Sequence, residues 1–376
     1  MLFRSVTVGV LVFAFRAPSA VDLENDHYMT MGWAQQVLFG AWPERDFVEP
    51  GMPLSYLLSA VVQVWSPGPF SEVVLTSVLM GVAAAATVRA GARLSGSWLI
   101  AVLAAAVSVA LYPRLYSFPK ALTPAVTVVL FDAYTRAPSK RRLRWLGVWL
   151  VVSALFRHDL GVYATGATLA GLVAFHWPDI RSWLRAVGAV VLGGSVVGVP
   201  YLAYVSWAVG IGEHVRRGVE FSKGEAHQLF DGLPPWSDVG RLDKDGAIAF
   251  LFFAAYALVP VILGLLVLRR SRHDRPARAL ACAMLTALVL FLPVILRHPV
   301  ANRLSDLATV FAFGVAWILG QGLDAARTGW RSRSRLVGLV ALGLALAFAG
   351  ASGAAAWRLT GIDDRLDTMG VYAGWR

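Results

Sequence analysis

Cysteine is almost absent from this chain. Cys282 is the only one in 376 residues and lies in an apolar run, so neither a disulfide nor a cysteine metal cluster can form within one copy. Charge is scarce too: Asp, Glu, Lys and Arg together make up 15% of the residues, where soluble domains carry about 25%. No repeat of 20–50 residues, no low-complexity tract and no separate soluble domain can be read along the chain. Apolar residues fill the space instead, at 57%, with a mean hydropathy of +0.61. Segments of roughly 17–25 mostly apolar residues recur over the whole length, and each can cross a hydrocarbon core of about 30 Å as a helix that satisfies its own backbone. The expected fold class is therefore an all-α polytopic membrane protein, and a soluble α/β fold is excluded.

The net charge of +11 would point to nucleic acid in a water-soluble chain. In a membrane protein the position of each Arg matters more than the sum. Basic clusters fall at Arg89 and Arg93, Arg136–Arg144, Arg181 and Arg185, Arg269–Arg278 and Arg327–Arg335. The positive-inside rule makes these the cytoplasmic loops, and no nucleic-acid partner is expected. The connections Asp22–Pro69, Tyr112–Pro119, Arg157–Leu160, Gly210–Gly246 and Arg297–Arg303 then lie outside. The resulting map has eleven spanning helices, near 2–20, 70–88, 97–112, 120–135, 143–157, 160–177, 186–209, 247–268, 278–296, 303–320 and 336–356. Residues 1–20 read as a retained helix, with a cleaved signal ending at "APSA" as the alternative. Within the span near 186–209, Gly193, Gly194 and Pro200 are the one hint of a broken helix.

Residues Pro53–Ser66 are too short to span: 14 residues at 1.5 Å rise reach about 21 Å. Ser55, Ser59 and Gln63 recur on one stripe, while Leu54, Leu57, Leu58, Val61 and Trp65 fill the other side. That is the pattern of an amphipathic helix lying in the membrane interface. Tyr28–Phe39 is a weaker case, with Tyr28, Met31, Ala34 and Leu38 on one face and Gln35 and Gln36 turned away. The outer stretch between Asp22 and Glu49 concentrates six carboxylates, Asp22, Glu24, Asp26, Glu44, Asp46 and Glu49, against Arg45 alone. Carboxylates near a membrane are costly unless solvated, paired or used; a solvated acidic loop is the plain alternative to a working one.

The stretches "DHYMTMGWAQQVLFG" and "AWPERDFVEPGMPLSYLLSA" resemble the first extracytoplasmic loop of the GT-C membrane glycosyltransferases. The likeness is to the bacterial group similar to protein O-mannosyltransferases and aminoarabinose transferases. In that group an acidic residue after the first membrane helix is followed by an Ala and a Gly, a "YRD"-like triplet, and an acidic residue before a Pro-containing turn. Asp26, Ala34, Gly40, the triplet Glu44, Arg45, Asp46, and then Glu49, Pro50 and Pro53 stand at those places. Two departures are that His27 replaces a second carboxylate after Asp26, and that the "PP" turn is interrupted by Gly51 and Met52. The match covers about forty residues; "LFRHDLGVY" and "RHPVANRLSDL" are shorter echoes.

The resemblance implies transfer of a sugar, with inversion, from a polyprenyl-phosphate donor to an acceptor hydroxyl on a glycan, lipid or protein at the outer face of a bacterial plasma membrane. It assigns the base to Asp26, for which a helix N-cap is the alternative. Glu49 is a second catalytic candidate, with pairing to Arg45 as the alternative. Arg45, Asp46 and His27 then serve the acceptor or shape the loop. The implied cofactor is a divalent cation, Mg or Mn, with its ligands undetermined. A growing phosphate charge calls for cations, and the outer-face set is Arg114, Lys120, Arg157, His158, Arg297, His298 and Arg303. Arg157 and Arg297 are preferred because the guanidinium fork gives paired hydrogen bonds; snorkelling to lipid headgroups is the alternative. Asp159 either orients His158 or neutralises Arg157.

The expected organisation is a catalytic transmembrane module over 1–209 containing the loop 22–69, an outer loop over 210–246, and C-terminal membrane helices with a short outer tail over 247–376. In the 210–246 loop, His214 and His227 lack a zinc-ligand spacing, and Trp236 reads as an interfacial anchor or a sugar platform. A transporter or flippase of lipid-linked glycans and a non-catalytic cell-envelope scaffold are the rival functions.

Overall fold

The computed structural model describes residues 2–16, 25–48, 51–110, 115–226, 256–264, 274–292, 300–327 and 343. The expected span near 336–356, the tail after it, and the segment holding His227 and Trp236 fall outside or almost outside these.

All regular secondary structure among the described residues is helical. In chain order the helices are α1 (Leu2–Arg16), α2 (Asn25–Leu38), α3 (Pro53–Trp65), α4 (Pro69–Ser95), α5 (Trp98–Ala110), α6 (Phe118–Arg136), α7 (Lys140–Phe156), α8 (His158–His176), α9 (Ile180–Ala208), α10 (Ile211–Ala226), α11 (residues 256–264), α12 (Arg275–Leu290) and α13 (Val300–Arg327). Two of them, α4 and α9, are long and apolar enough to cross a membrane. Local chemistry sets several boundaries. Pro53 and Pro69 open α3 and α4 at positions where a missing N–H is not needed. Ser139, Asp179 and Asp274 cap α7, α9 and α12 by accepting hydrogen bonds from Arg142 N, Ser182 N and Ala277 N.

The helix α4 lies at the centre, packed against α1, α5, α6 and α13, while α7 pairs with α9 and α8 with α12. The crossing of α7 and α9 is very close. A Cβ on Gly147 would sit 1.9 Å from the Val190 carbonyl oxygen, and one on Gly193 would sit 2.0 Å from that of Arg144. Gly193 and Gly194 are therefore contact surface, and α9 runs unbroken through them and through Pro200. Small residues let helix backbones approach where no side chain fits. The hint of a broken helix is thus replaced by a packing reason.

On α3 and α9 apolar side chains face outward, and on α3 polar groups turn inward. On α3, Ser59 and Gln63 are buried, with Gln63 Nε2 donating to Ser59 Oγ at 2.9 Å and Ser59 Oγ donating to Glu72 of α4 at 2.5 Å. Val61, Val64 and Trp65 of the same helix are exposed. On α9 the exposed residues include Val191, Leu192, Val196 and Val199. This is the reverse of a helix on a water-soluble core. For α2 the expected face is shifted. His27, Thr30, Met31 and Ala34 are buried at helical spacing, whereas Tyr28 and Leu38 are exposed. The buried face follows His27 because its ring packs edge-on to Tyr116, 5.2 Å between centroids.

Candidate functional site

Connections far apart in sequence and expected on the outer side meet at one end of the helices. The His27–Tyr116 contact joins the start of α2 to the segment before α6. Ser55 Oγ donates to the Phe156 carbonyl at 3.1 Å, tying α3 to the end of α7. The His158 backbone N–H donates to the Gly51 carbonyl at 3.0 Å, tying the first loop to the α7–α8 junction. Gly51 has φ +81, and a Cβ there would meet His158 Nδ1 at 2.9 Å, so both conformation and space call for glycine. Tyr204 Oη of α9 donates to the Pro43 carbonyl at 2.6 Å.

The last of these ties closes one side of a cavity of about 480 Å³, walled by Trp42, Pro43 and Glu44 of the first loop, Tyr56 and Leu57 of α3, and Tyr201 and Tyr204 of α9. Glu44 is the acidic member. It is 4% exposed, and with φ 66 it sits in the left-handed region that a non-glycine residue rarely occupies. One carboxylate oxygen lies 2.7 Å from His214 Nδ1 on α10. The other receives no hydrogen bond among the described residues and lies 3.6 Å from the Arg217 guanidinium, which donates instead to the Glu44 carbonyl oxygen at 3.1 Å. Two residues on, Asp46 accepts from Arg45 Nε and Nη2, both at 2.9 Å, and from the Trp42 backbone N–H at 2.7 Å. The Arg45 bonds first, and then the Trp42 N–H, hold the Asp46 carboxyl below its usual range. Arg45 also lies over the rings of Trp42 and Trp207, at 5.8 and 5.6 Å.

A second polar group is linked to the cavity through His158, whose ring packs against His214 at 5.7 Å and Tyr201 at 6.4 Å between centroids. Next to it, Arg157 Nε and Nη2 each donate to Asp159 at 2.9 Å, so Asp159 neutralises Arg157 rather than bonding the His158 ring. Lys120, in the first turn of α6, pairs with Asp306 of α13 at 2.6 Å. Asp306 also acts electrostatically on Arg157. Two of the expected phosphate cations are therefore held by carboxylates in this structure.

The remaining candidates divide simply. Asp26 is the second residue of α2 and Arg303 lies in the first turn of α13, but their side chains are outside the described ones. Glu49, Arg114, Arg297 and His298 lie outside the described residues. Among the described residues no group of three or more His, Cys, Asp or Glu could hold a metal ion.

Sequence reasoning missed α10 altogether, having read 210–246 as a loop. The signal lay in the charge spacing. Arg216 bonds Glu213 at 2.7 Å and Glu220 at 2.5 Å, and Arg217 bonds Glu213 at 2.9 Å, all at helical i,i+3 and i,i+4 separations. Arg216 first, then Arg217, draws the Glu213 pKa down to about 2. No family model, no curated protein and no solved structure matches the chain.

Proposed function

We propose that this protein is a multi-pass membrane glycosyltransferase of the GT-C type, moving a sugar from a polyprenyl-phosphate donor to an acceptor hydroxyl on the outer side of the plasma membrane. The observation that carries this reading is the meeting of the first loop, α3 and α9 around one cavity, with α10 bonded to its Glu44 and His158 of the α7–α8 junction packed beside its Tyr201. The resemblance of residues 26–65 to the first loop of that family adds to it. The inward polar and outward apolar faces of α3 fit a helix at the lipid interface, and the eleven-span map belongs to the same proposal.

In the reaction the acceptor oxygen forms a bond to the anomeric carbon as the bond from that carbon to the phosphate oxygen breaks. The electron pair leaves with polyprenyl phosphate, and the acceptor proton passes to the Asp26 carboxylate, help usually worth about 10² to 10⁴ in rate. The donor phosphate would be received at the Arg157 and Lys120 side of the site, where it competes with Asp159 and Asp306 for charge-assisted hydrogen bonds.

The test is release of polyprenyl phosphate in proteoliposomes supplied with polyprenyl-phosphate mannose or aminoarabinose. The wild-type chain should release it and Asp26→Asn should not, while inserting to the same level. Full activity in Asp26→Asn removes Asp26 from the role of base, and flux of intact donor without transfer overturns the enzyme reading.

A further inference from the structure

The loop resemblance gives the cavity around Glu44 no role, yet its construction is specific. Glu44 is buried, backbone-strained, and held from α10 by His214 and Arg217, all at a cost in desolvation and conformation. A volume of about 480 Å³ lies within the range of about 300–1,000 Å³ common to small-molecule sites. The walls combine the rings of Trp42, Tyr56, Tyr201 and Tyr204 with this one carboxylate. Rings beside a hydrogen-bond acceptor match a sugar, whose axial C–H faces pack on aromatic surface while its hydroxyls donate to oxygen.

We propose that this cavity is a carbohydrate-binding subsite for one or two neutral sugar rings, in which Glu44 accepts hydrogen bonds from ring hydroxyls. Aromatic walls with a carboxylate also describe a cage for an ammonium group. Here Arg217 lies 3.6 Å from the Glu44 carboxylate and Arg45 lies over Trp42, so a cationic ligand would meet two like charges. A neutral polyol meets none. The helix α10 is then the positioning element: through His214 and Arg217 it fixes the Glu44 carboxylate, which a loop residue at positive φ would not keep in place by itself.

The inference rests on the cavity that also carries the transferase reading, and because it is read by binding alone its failure can be told from a failure of the transfer reaction. The full chain is purified in lauryldimethylamine oxide, a detergent without a sugar headgroup. Saturation-transfer NMR is recorded with the methyl glycosides of glucose, galactose, mannose and arabinose, and with choline. At least one glycoside should give transfer signals, weakened tenfold or more in apparent affinity by Glu44→Gln and by Trp42→Ala. Trp42 is half-exposed, so its variant keeps the test readable if Glu44→Gln fails to fold. Wild-type chain silent to all four glycosides, a signal from choline alone, or glycoside signals unchanged in Trp42→Ala would each overturn the proposal. A chain that binds a glycoside but transfers nothing keeps this site and loses the enzyme.

Discussion

Gly193→Ala should destabilise the protein, while the same substitution five residues earlier should not. A Cβ on Gly193 would lie 2.0 Å from the Arg144 carbonyl oxygen and 2.5 Å from its Cα, all backbone of α7. To reach the 3.4 Å of ordinary contact, α7 would have to withdraw by about 1.4 Å. Packed atoms lose about a quarter to a half of their attraction over a gap of 0.5–1 Å, so the loss spreads along the crossing. Overpacking of this kind costs about 1–3 kcal/mol or more, offset by about 1 kcal/mol from replacing glycine in a helix. A Cβ on Gly188, also on α9, meets nothing within 4 Å, and Gly188→Ala should gain up to about 1 kcal/mol. Unfolding in mixed micelles with increasing SDS should therefore separate the two variants by about 1–3 kcal/mol, the overpacking cost, since the glycine replacement is common to both. The crossing also sets Arg157, at the end of α7, relative to Tyr201 and Tyr204 on α9, so Gly193→Ala should lower activity as well. Equal stabilities for the two variants would refute the packing argument.

Glu72→Leu should cost about 1–3 kcal/mol in the same unfolding experiment, because it strands the buried Ser59 hydroxyl, whereas Glu72→Gln keeps an acceptor and should cost less than half as much. The Glu213 carboxyl should titrate near 2 when followed by carbon NMR. Its folded pKa lies below the unfolded one, so its contribution to stability is full above about 4.5 and fades only as pH falls toward 2; titration near 4.5 would mean the Arg216 and Arg217 fork is not formed. Asp46 follows the same sign. Its support of the loop is present above the ordinary aspartate pKa of about 3.9 and is lost in more acidic solution, a change that Trp42 fluorescence should report and Asp46→Asn should abolish. Tyr204→Phe, which removes the bond to the Pro43 carbonyl, should loosen the loop against α9 and raise the KM for acceptor more than it lowers kcat.

Helix positions were legible from the apolar runs, closely at Pro69, whereas α7 and α9, capped by Ser139 and Asp179, start three and six residues before the expected spans because their first turns carry charged residues. The polar stripe of α3 was legible because Ser59 and Gln63 recur four residues apart; its inward direction was not, because the partner that takes it up, Glu72, lies on another helix. The face of α2 was read in part: Met31 and Ala34 of the expected face are buried, but Tyr28 and Leu38 are exposed, and His27, a polar residue with an aromatic body, takes the buried position against Tyr116. The adjacent Arg45–Asp46 pair and the Arg157–Asp159 pair were within reach because their partners are close in sequence. The Glu44–His214 contact was not, since nothing in either segment encodes a partner so far along the chain. α10 escaped because its low hydropathy masked the ion-pair spacing that forms it.

In the proposed function the cavity end faces outward and the basic end faces the cytoplasm. In a Cys282→Ser background, single cysteines at Glu220→Cys on α10 and Arg141→Cys on α7 would be exposed to a membrane-impermeant maleimide in intact cells and after lysis. Labelling of position 220 in intact cells, with position 141 reacting only after lysis, is the predicted result. Labelling of 141 from outside, with 220 protected until lysis, would place the cavity on the cytoplasmic side and contradict the account.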